Sequence, residues 1–274
     1  MKKFGIVIVV LAVCFAMIGL SASADVETQK ISLNGSTSME KMVNAIKDGV
    51  VYDYPELSLE PQFTGSSAGI EAVINGKSNI GNSSRELKES ELEQGLVSNV
   101  VAIDAIAIVT DTDNKTDNLT KEQLIDIYTG KIRNWKEVGG DDLPIVVIGR
   151  EAGSGTRSAF EEILGLEEKC EYANEVNESG PIVAKVRSIP GAIGYVSLDV
   201  VDDSIKTLAI DGVYATDEAI IDGSYSLQRP FVMATKGTIE EQSEQVQNLF
   251  KYIYSEDGRK IIESVGLIPV DPAS

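Results

Sequence analysis

Histidine is absent from this 274-residue chain, and cysteine and basic residues are scarce. Without histidine there can be no Ser-His-Asp triad, no Cys-His pair and none of the common zinc sites. The two cysteines are Cys14 and Cys170, and Cys14 lies in an apolar N-terminal stretch with the layout of a cleaved leader. The processed chain would therefore keep one thiol and form no internal disulfide, so its stability must come from packing. Lys and Arg together number 24 against 43 Asp and Glu, a formal net charge of -19. Nucleic acids and anionic membrane surfaces need basic patches and are poor partners for such a chain. An anion can still be held, because exposed charges are screened over about 8 Å at physiological ionic strength while a desolvated cleft feels its own donors. No short-period repeat or low-complexity segment interrupts the sequence.

The N-terminus runs Lys2-Lys3, then apolar from Phe4 to Leu20, then Ser21-Ala22-Ser23-Ala24. That order reads as a secretory signal with an Ala-x-Ala cleavage site, leaving Asp25 first. A retained anchor is the alternative, and lipidation at Cys14 is disfavoured by Val13, where lipoprotein signals carry a small residue. The expected location is outside the cytoplasm, at the periplasmic or extracellular face of the membrane, with or without a tether.

Beyond the leader, short apolar runs alternate with amphipathic stretches, which predicts an α/β fold with mostly parallel sheets. Ile31-Ser32-Leu33 leads into Gly35-Ser36-Thr37-Ser38, where Thr37 and Glu40 suggest a capping box. Leu57 to Phe63 alternates like a strand and ends at Thr64-Gly65-Ser66-Ser67-Ala68-Gly69, before the helical Ile70 to Ile74. Ile145 to Ile148 reads as a buried strand, and Ser158 to Leu164 as a helix with a Ser-x-x-Glu cap. Between them lies Gly149-Arg150-Glu151-Ala152-Gly153-Ser154-Gly155-Thr156-Arg157, with arginines, hydroxyls and glycines in one turn at a helix start. Free N-H groups and the helix dipole favour an anion there, and glycine lets the main chain approach it closely. The acidic stretches Glu86 to Glu93 and Glu161 to Glu168 read as solvated helix faces. Asp104 sits inside the apolar run Val100 to Val109, where a carboxylate needs a partner or a polar cleft.

The Gly-Arg-Glu-Ala-Gly-Ser-Gly-Thr-Arg turn resembles the phosphate-binding loop of the substrate-binding proteins of phosphate ABC transporters, in their shorter branch. Asn34 to Ser38, Gly65 to Gly69, Ile80 to Leu87, Asn118 to Thr120, Tyr128 to Trp135 and Pro190 to Tyr195 agree with the same family in order. The resemblance implies a two-lobed periplasmic-binding-protein fold of type II, each lobe a mostly parallel sheet flanked by helices, with two crossover strands as hinge. One lobe would be residues 25–108 with 226–274, the other residues 109–225. The implied function is capture of inorganic phosphate and its delivery to an ABC permease, by a monomer with no cofactor, no metal and no chemical step.

The family pattern places ligand contacts on Thr37 and Ser38, on Ser66 and Ser67, on Ser84 and Arg85, and on Arg150, Ser154, Gly155, Thr156 and Arg157. Loss of the Arg157 side chain is then expected to lower affinity at least about tenfold, the scale of a charge-assisted hydrogen bond. The longer branch has an aspartate two residues after the loop arginine and another in the third turn, where each can accept a ligand proton. Here those places hold Ala152 and Ser84, which leaves Asp104 and Glu151 as candidate acceptors. A proton acceptor separates phosphate from sulfate, because facing sulfate it would be left unpaired. Without one, sulfate or molybdate becomes an alternative ligand. A phosphate sensor or scavenger without a transporter is another reading. A remote one is a serine acyl enzyme using the Ser-x-x-Lys of Ser38 and Lys41, although Lys236-Gly237-Thr238 has the wrong order for its third element.

Overall fold

The computed structural model of the chain describes residues 29–271, so the leader and its cleavage site lie outside the described residues. Strand β1 (Gln29–Gly35) passes through a tight turn into α1 (Glu40–Val50), β2 (Leu57–Phe63) into α2 (Ser66–Ile74), and β3 (Ile80–Ser83) into the short α3 (Glu89–Leu92) and β4 (Leu96–Val97). The long β5 (Val100–Thr110) follows, then β6 (Asn118–Leu119), α4 (Lys121–Tyr128), β7 (Val146–Arg150), α5 (Gly155–Leu164), β8 (Asn174–Val176), α6 (Ser179–Ser188), β9 (Ala192–Ser197), β10 (Lys206–Ile210) and α7 (Asp217–Ile221). The chain returns along β11 (Gln228–Lys236) and ends in α8 (Glu244–Ile253), α9 (Glu256–Ser264) and β12 (Ile268–Pro269).

The main strand order is β2-β1-β3-β11-β5-β9-β7-β8. Pairs within β2-β1-β3 and β9-β7-β8 are parallel, while β11 and β5 run antiparallel to their neighbours. Strand β5 is shared between the two parallel sets: Val100 to Ala105 pairs with β11 and Ile106 to Thr110 with β9. Its β-branched and small apolar residues suit a strand covered on both faces.

The apolar interior changes at the same place. One group joins Ile31, Met42, Ile46 and Ala102 to Phe231, Leu249 and Ile262; another joins Ala105, Ile106, Trp135, Phe160 and Tyr195 to Leu227. Helix α8 shows why such elements form: Val246, Leu249, Phe250 and Ile253 recur at helical spacing and are all buried. Each buried aliphatic or aromatic side chain contributes about 1.5–3 kcal/mol by leaving water.

Between the two groups β5 carries Asp104 and β11 carries Arg229, directly paired in register. Arg229 Nε donates to Asp104 Oδ2 at 2.9 Å, and Ser197 Oγ (2.8 Å) and the Leu198 N-H (3.3 Å) complete the carboxylate's shell. The expected partner for the carboxylate in this strand is therefore an arginine more than a hundred residues away.

Parallel strands send their carboxyl ends the same way, and the helices that follow begin there. The N-termini of α1, α2, α5 and α6 are brought to the seam between the two sets.

Candidate functional site

Hydroxyl groups meet across the seam. Ser36 begins the first turn: its Oγ accepts the Ser38 N-H (3.2 Å) and donates to Ser84 Oγ (2.8 Å), which ties the first turn to the third. The cap is thus Ser36 and not Thr37, because residues Thr37–Met39 form a 3-10 turn before α1. Ser38 Oγ lies 2.7 Å from Thr156 Oγ1 and 3.2 Å from Ser179 Oγ, so the first turn touches both α5 and α6. In the second turn Ser66 Oγ accepts the Ser84 N-H at 3.1 Å and lies 3.4 Å from Ser84 Oγ. Ser67 contributes its backbone N-H, which donates to the Gly153 carbonyl at 3.2 Å.

The loop after β7 supplies the cation. Arg150 is buried and reaches Thr37 Oγ1 (3.0 Å), Ser179 Oγ (3.2 Å) and the Asn177 carbonyl (3.0 Å). Glu151 holds the other edge of its guanidinium, with Nε to Oε2 at 3.0 Å and Nη2 to Oε1 at 3.1 Å. Behind the loop the Arg150 N-H donates to Tyr195 Oη at 3.2 Å, and the Tyr195 ring stacks on Phe160 at 4.3 Å. Ser154 caps α5 by accepting the Arg157 N-H at 3.3 Å, so the helix starts at Gly155, one turn earlier than the Ser158 pattern suggests. Ser158 instead lies inside the helix and donates back to the Ser154 carbonyl at 3.1 Å. A Cβ on Gly155 would run into Ser66 Oγ and Ser84 Oγ, and glycine there lets the two sides touch.

Two of the expected contacts point elsewhere. Arg85 is buried but forks onto Glu91, with Nη1 to Oε2 at 2.9 Å and Nη2 to Oε1 at 2.8 Å. These hydrogen bonds outweigh burial and hold the Glu91 carboxyl below its ordinary range. Arg157 runs back along α5 to Glu161 (2.8 Å) and Glu175 (3.1 Å), with its guanidinium over Tyr172 at 4.8 Å. In both cases a carboxylate takes the guanidinium, Glu91 bidentately on Arg85 and Glu161 at i,i+4 on Arg157. Glu161 is correspondingly buried, not solvated. The two candidate proton acceptors are likewise engaged, Asp104 by Arg229 and Glu151 by Arg150. Lys41 donates to the Asp199 carbonyl at 2.9 Å and leaves Ser38 to Thr156 and Ser179, so the Ser-x-x-Lys motif forms no nucleophile pair. Cys170 is half-buried, and burial pushes its thiol up to about 11.

Ser179 belongs to this cluster although it is not among the contacts that the family pattern implies. Its signal was the run Asn177-Glu178-Ser179-Gly180-Pro181, a hydroxyl just ahead of a proline in the first turn of a helix. Ser36, Thr37, Ser38, Ser66, Ser84, Thr156 and Ser179 are all buried and within reach of one another or of Arg150. A hydroxyl both donates and accepts, and can turn its proton from a neighbouring hydroxyl to an anionic oxygen. Together with helix N-termini and one fixed guanidinium, this is a donor set for a small, many-oxygen anion.

A model of the PBP superfamily domain matches residues 21–257. The phosphate-binding protein PstS of Bacillus subtilis is 31% identical over 290 residues, covering 98% of this chain and 95% of that protein. Among solved structures, a phosphate ABC transporter substrate-binding protein with bound phosphate from Clostridium perfringens is 41% identical with a TM-score of 0.85, covering 89% of this chain and all of that one. An ABC-type phosphate transport receptor from Vibrio cholerae is 34% identical with a TM-score of 0.75, covering 88% of this chain and all of that one.

Proposed function

Since the chain belongs to the family of phosphate ABC transporter substrate-binding proteins, we propose that it captures inorganic phosphate outside the cytoplasm and hands it to an import permease. The observation that carries this reading is the meeting of hydroxyls and Arg150 across the seam, Ser38 with Thr156 and Arg150 with Thr37. Thr37, Ser38, Ser66, Ser84, Arg150, Thr156 and Ser179 would hold the ligand with their side chains, and Ser67, Ser154 and Gly155 would shape it through the main chain. Arg85 and Arg157 act as supports of the third turn and of α5. Binding is the whole function, with no bond made or broken, and a monomer suffices for it.

The change of apolar core between Ala102 and Ala105, and again between Leu227 and Phe231, supports a division into residues 25–108 with 226–274 and residues 109–225. Closure would then turn about β5 and β11, as hinge-type gating does. The leader read from residues 1–24 supports export. Among the described residues no helix is long and apolar enough to cross a membrane.

One observation favours a wider ligand range. Ala152 presents a methyl group, and the Glu151 and Asp104 carboxylates are each engaged by an arginine, so no carboxylate here is dedicated to a ligand proton. Titration calorimetry with phosphate and with sulfate at matched ionic strength separates the readings. Phosphate binding in the micromolar range, about -8 kcal/mol, with weak sulfate binding is the expected result. Tight sulfate binding with none for phosphate would overturn it.

A further inference from the structure

Beside the hydroxyl cluster lie two buried carboxylates that differ in their partners. Asp104 is saturated by Arg229, Ser197 and the Leu198 N-H. Asp199, in the turn after β9, is also buried, and neither of its carboxylate oxygens has a hydrogen-bond partner: the neighbouring Ser197 hydroxyl, which would lower its carboxyl, donates to Asp104 instead. The charged groups around it are Lys41 from α1, Asp104 from β5 and Arg229 from β11. Both cations are directed elsewhere: Lys41 Nζ donates to the Asp199 carbonyl, and Arg229 to Asp104 and to the Ser84 carbonyl at 3.2 Å. An ionised carboxylate in such a place lacks the donors that offset its desolvation. Burial, and after it the charge of Asp104, push the Asp199 carboxyl up to about 6.

The covering of Asp199 depends on the seam. Lys41 lies on α1, whose Met42, Val43 and Ile46 belong to one apolar group, whereas Leu198 and Val200, which flank Asp199, pack on the interior of the other half. The contact joins residues 158 apart in sequence, and parting the halves would return the carboxylate to water. We propose that Asp199 is a proton-binding site formed when the two halves close, so that ligand capture takes up a proton there. The inference rests on the reading above that closure accompanies oxyanion binding.

The sign follows from the raised carboxyl. A proton favours the closed form; this advantage is complete below the ordinary value of 3.8 and is lost as pH rises through about 6. Relative to a chain lacking the carboxylate, phosphate affinity should fall by up to about 100-fold across that window. An anionic ligand bound nearby acts in the same direction, since it too disfavours a charged Asp199.

The test is the number of protons taken up per phosphate bound, from calorimetry in buffers of different ionisation heat, for the parent and for Asp199→Asn. The ligand's own ionisation is common to both and cancels. At pH 5 the parent should take up about 0.8 of a proton more than the variant, and at pH 7.5 the same number. Equal counts at pH 5 would overturn the proposal. Should Asp199→Asn fold poorly, Lys41→Met serves in its place: loss of the ammonium should move the uptake to higher pH, and an unmoved profile counts against the idea. A parent that binds no phosphate at any pH refutes the phosphate reading instead, and the same comparison is then made with sulfate.

Discussion

The hydroxyl cluster at the seam and a charged cavity lined from both sides of that seam handle charge in opposite ways. Inside, several neutral hydroxyls and helix N-termini surround one guanidinium, Arg150. Outside, a cavity of about 450 Å³ is lined by Arg85, Lys88 and Arg157 together with Glu86, Glu161, Glu162, Glu167 and Glu168. Its two arginines already hold carboxylates, and five glutamates against three cations leave the cavity acidic. The difference teaches that recognition in an acidic chain can rest on directed donors in a dry place, where each hydrogen bond counts for more, and not on local excess of positive charge.

The strongest way to break this contrast is Arg150→Ala. It removes the one cation of the cluster and strands Thr37, Ser179 and Glu151, and phosphate affinity should fall at least about 100-fold, roughly 2.7 kcal/mol. A loss under tenfold by calorimetry would mean the cluster is not the anion site. Next comes Gly155→Ala, whose methyl would press on Ser66 and Ser84. Overpacking of about 1–3 kcal/mol predicts roughly tenfold weaker binding with the ligand-free melting temperature little changed. Unchanged affinity would show that the two sides stand further apart when the ligand is held. The smallest effect sharpens the contrast from outside: Arg157→Ala should leave affinity within about threefold while costing about 1 kcal/mol of stability through Glu161 and Glu175. This reverses the expectation from the family pattern, and a tenfold loss would return Arg157 to the site.

Much of the fold is legible from strand-turn-helix alternation. Leu57 to Phe63 is a strand over that span, and the long apolar run at Val100 extends one residue further to Thr110. Helix starts differ from the spacing pattern where two hydroxyls compete. Thr37 and Ser158 each satisfy a Ser/Thr-x-x-Glu spacing, yet Ser36 and Ser154 sit where the chain leaves the turn, and backbone geometry decides. Arg157 with Glu161 could be read from i,i+4 spacing, whereas Arg85 with Glu91 and Arg157 with Glu175 depend on how loops fold back. Asp199 carried no local signal, since its isolation is made by Lys41 and Asp104 arriving from distant parts of the chain.

The position of β11 has a consequence for how the chain acquires its structure. This strand lies between β3 and β5, although more than a hundred residues separate it from either in sequence. The sheet built on β1, β2 and β3 therefore keeps an unpaired inner edge until residues 228–236 arrive, while the buried apolar group from Ala105 to Leu227 lies within one continuous segment. Long-range pairing of this kind is slow, and open edges are where chains associate wrongly. The sheet behind Ser38, Ser66 and Ser84 is thus closed only by the strand that returns from residues 228–236.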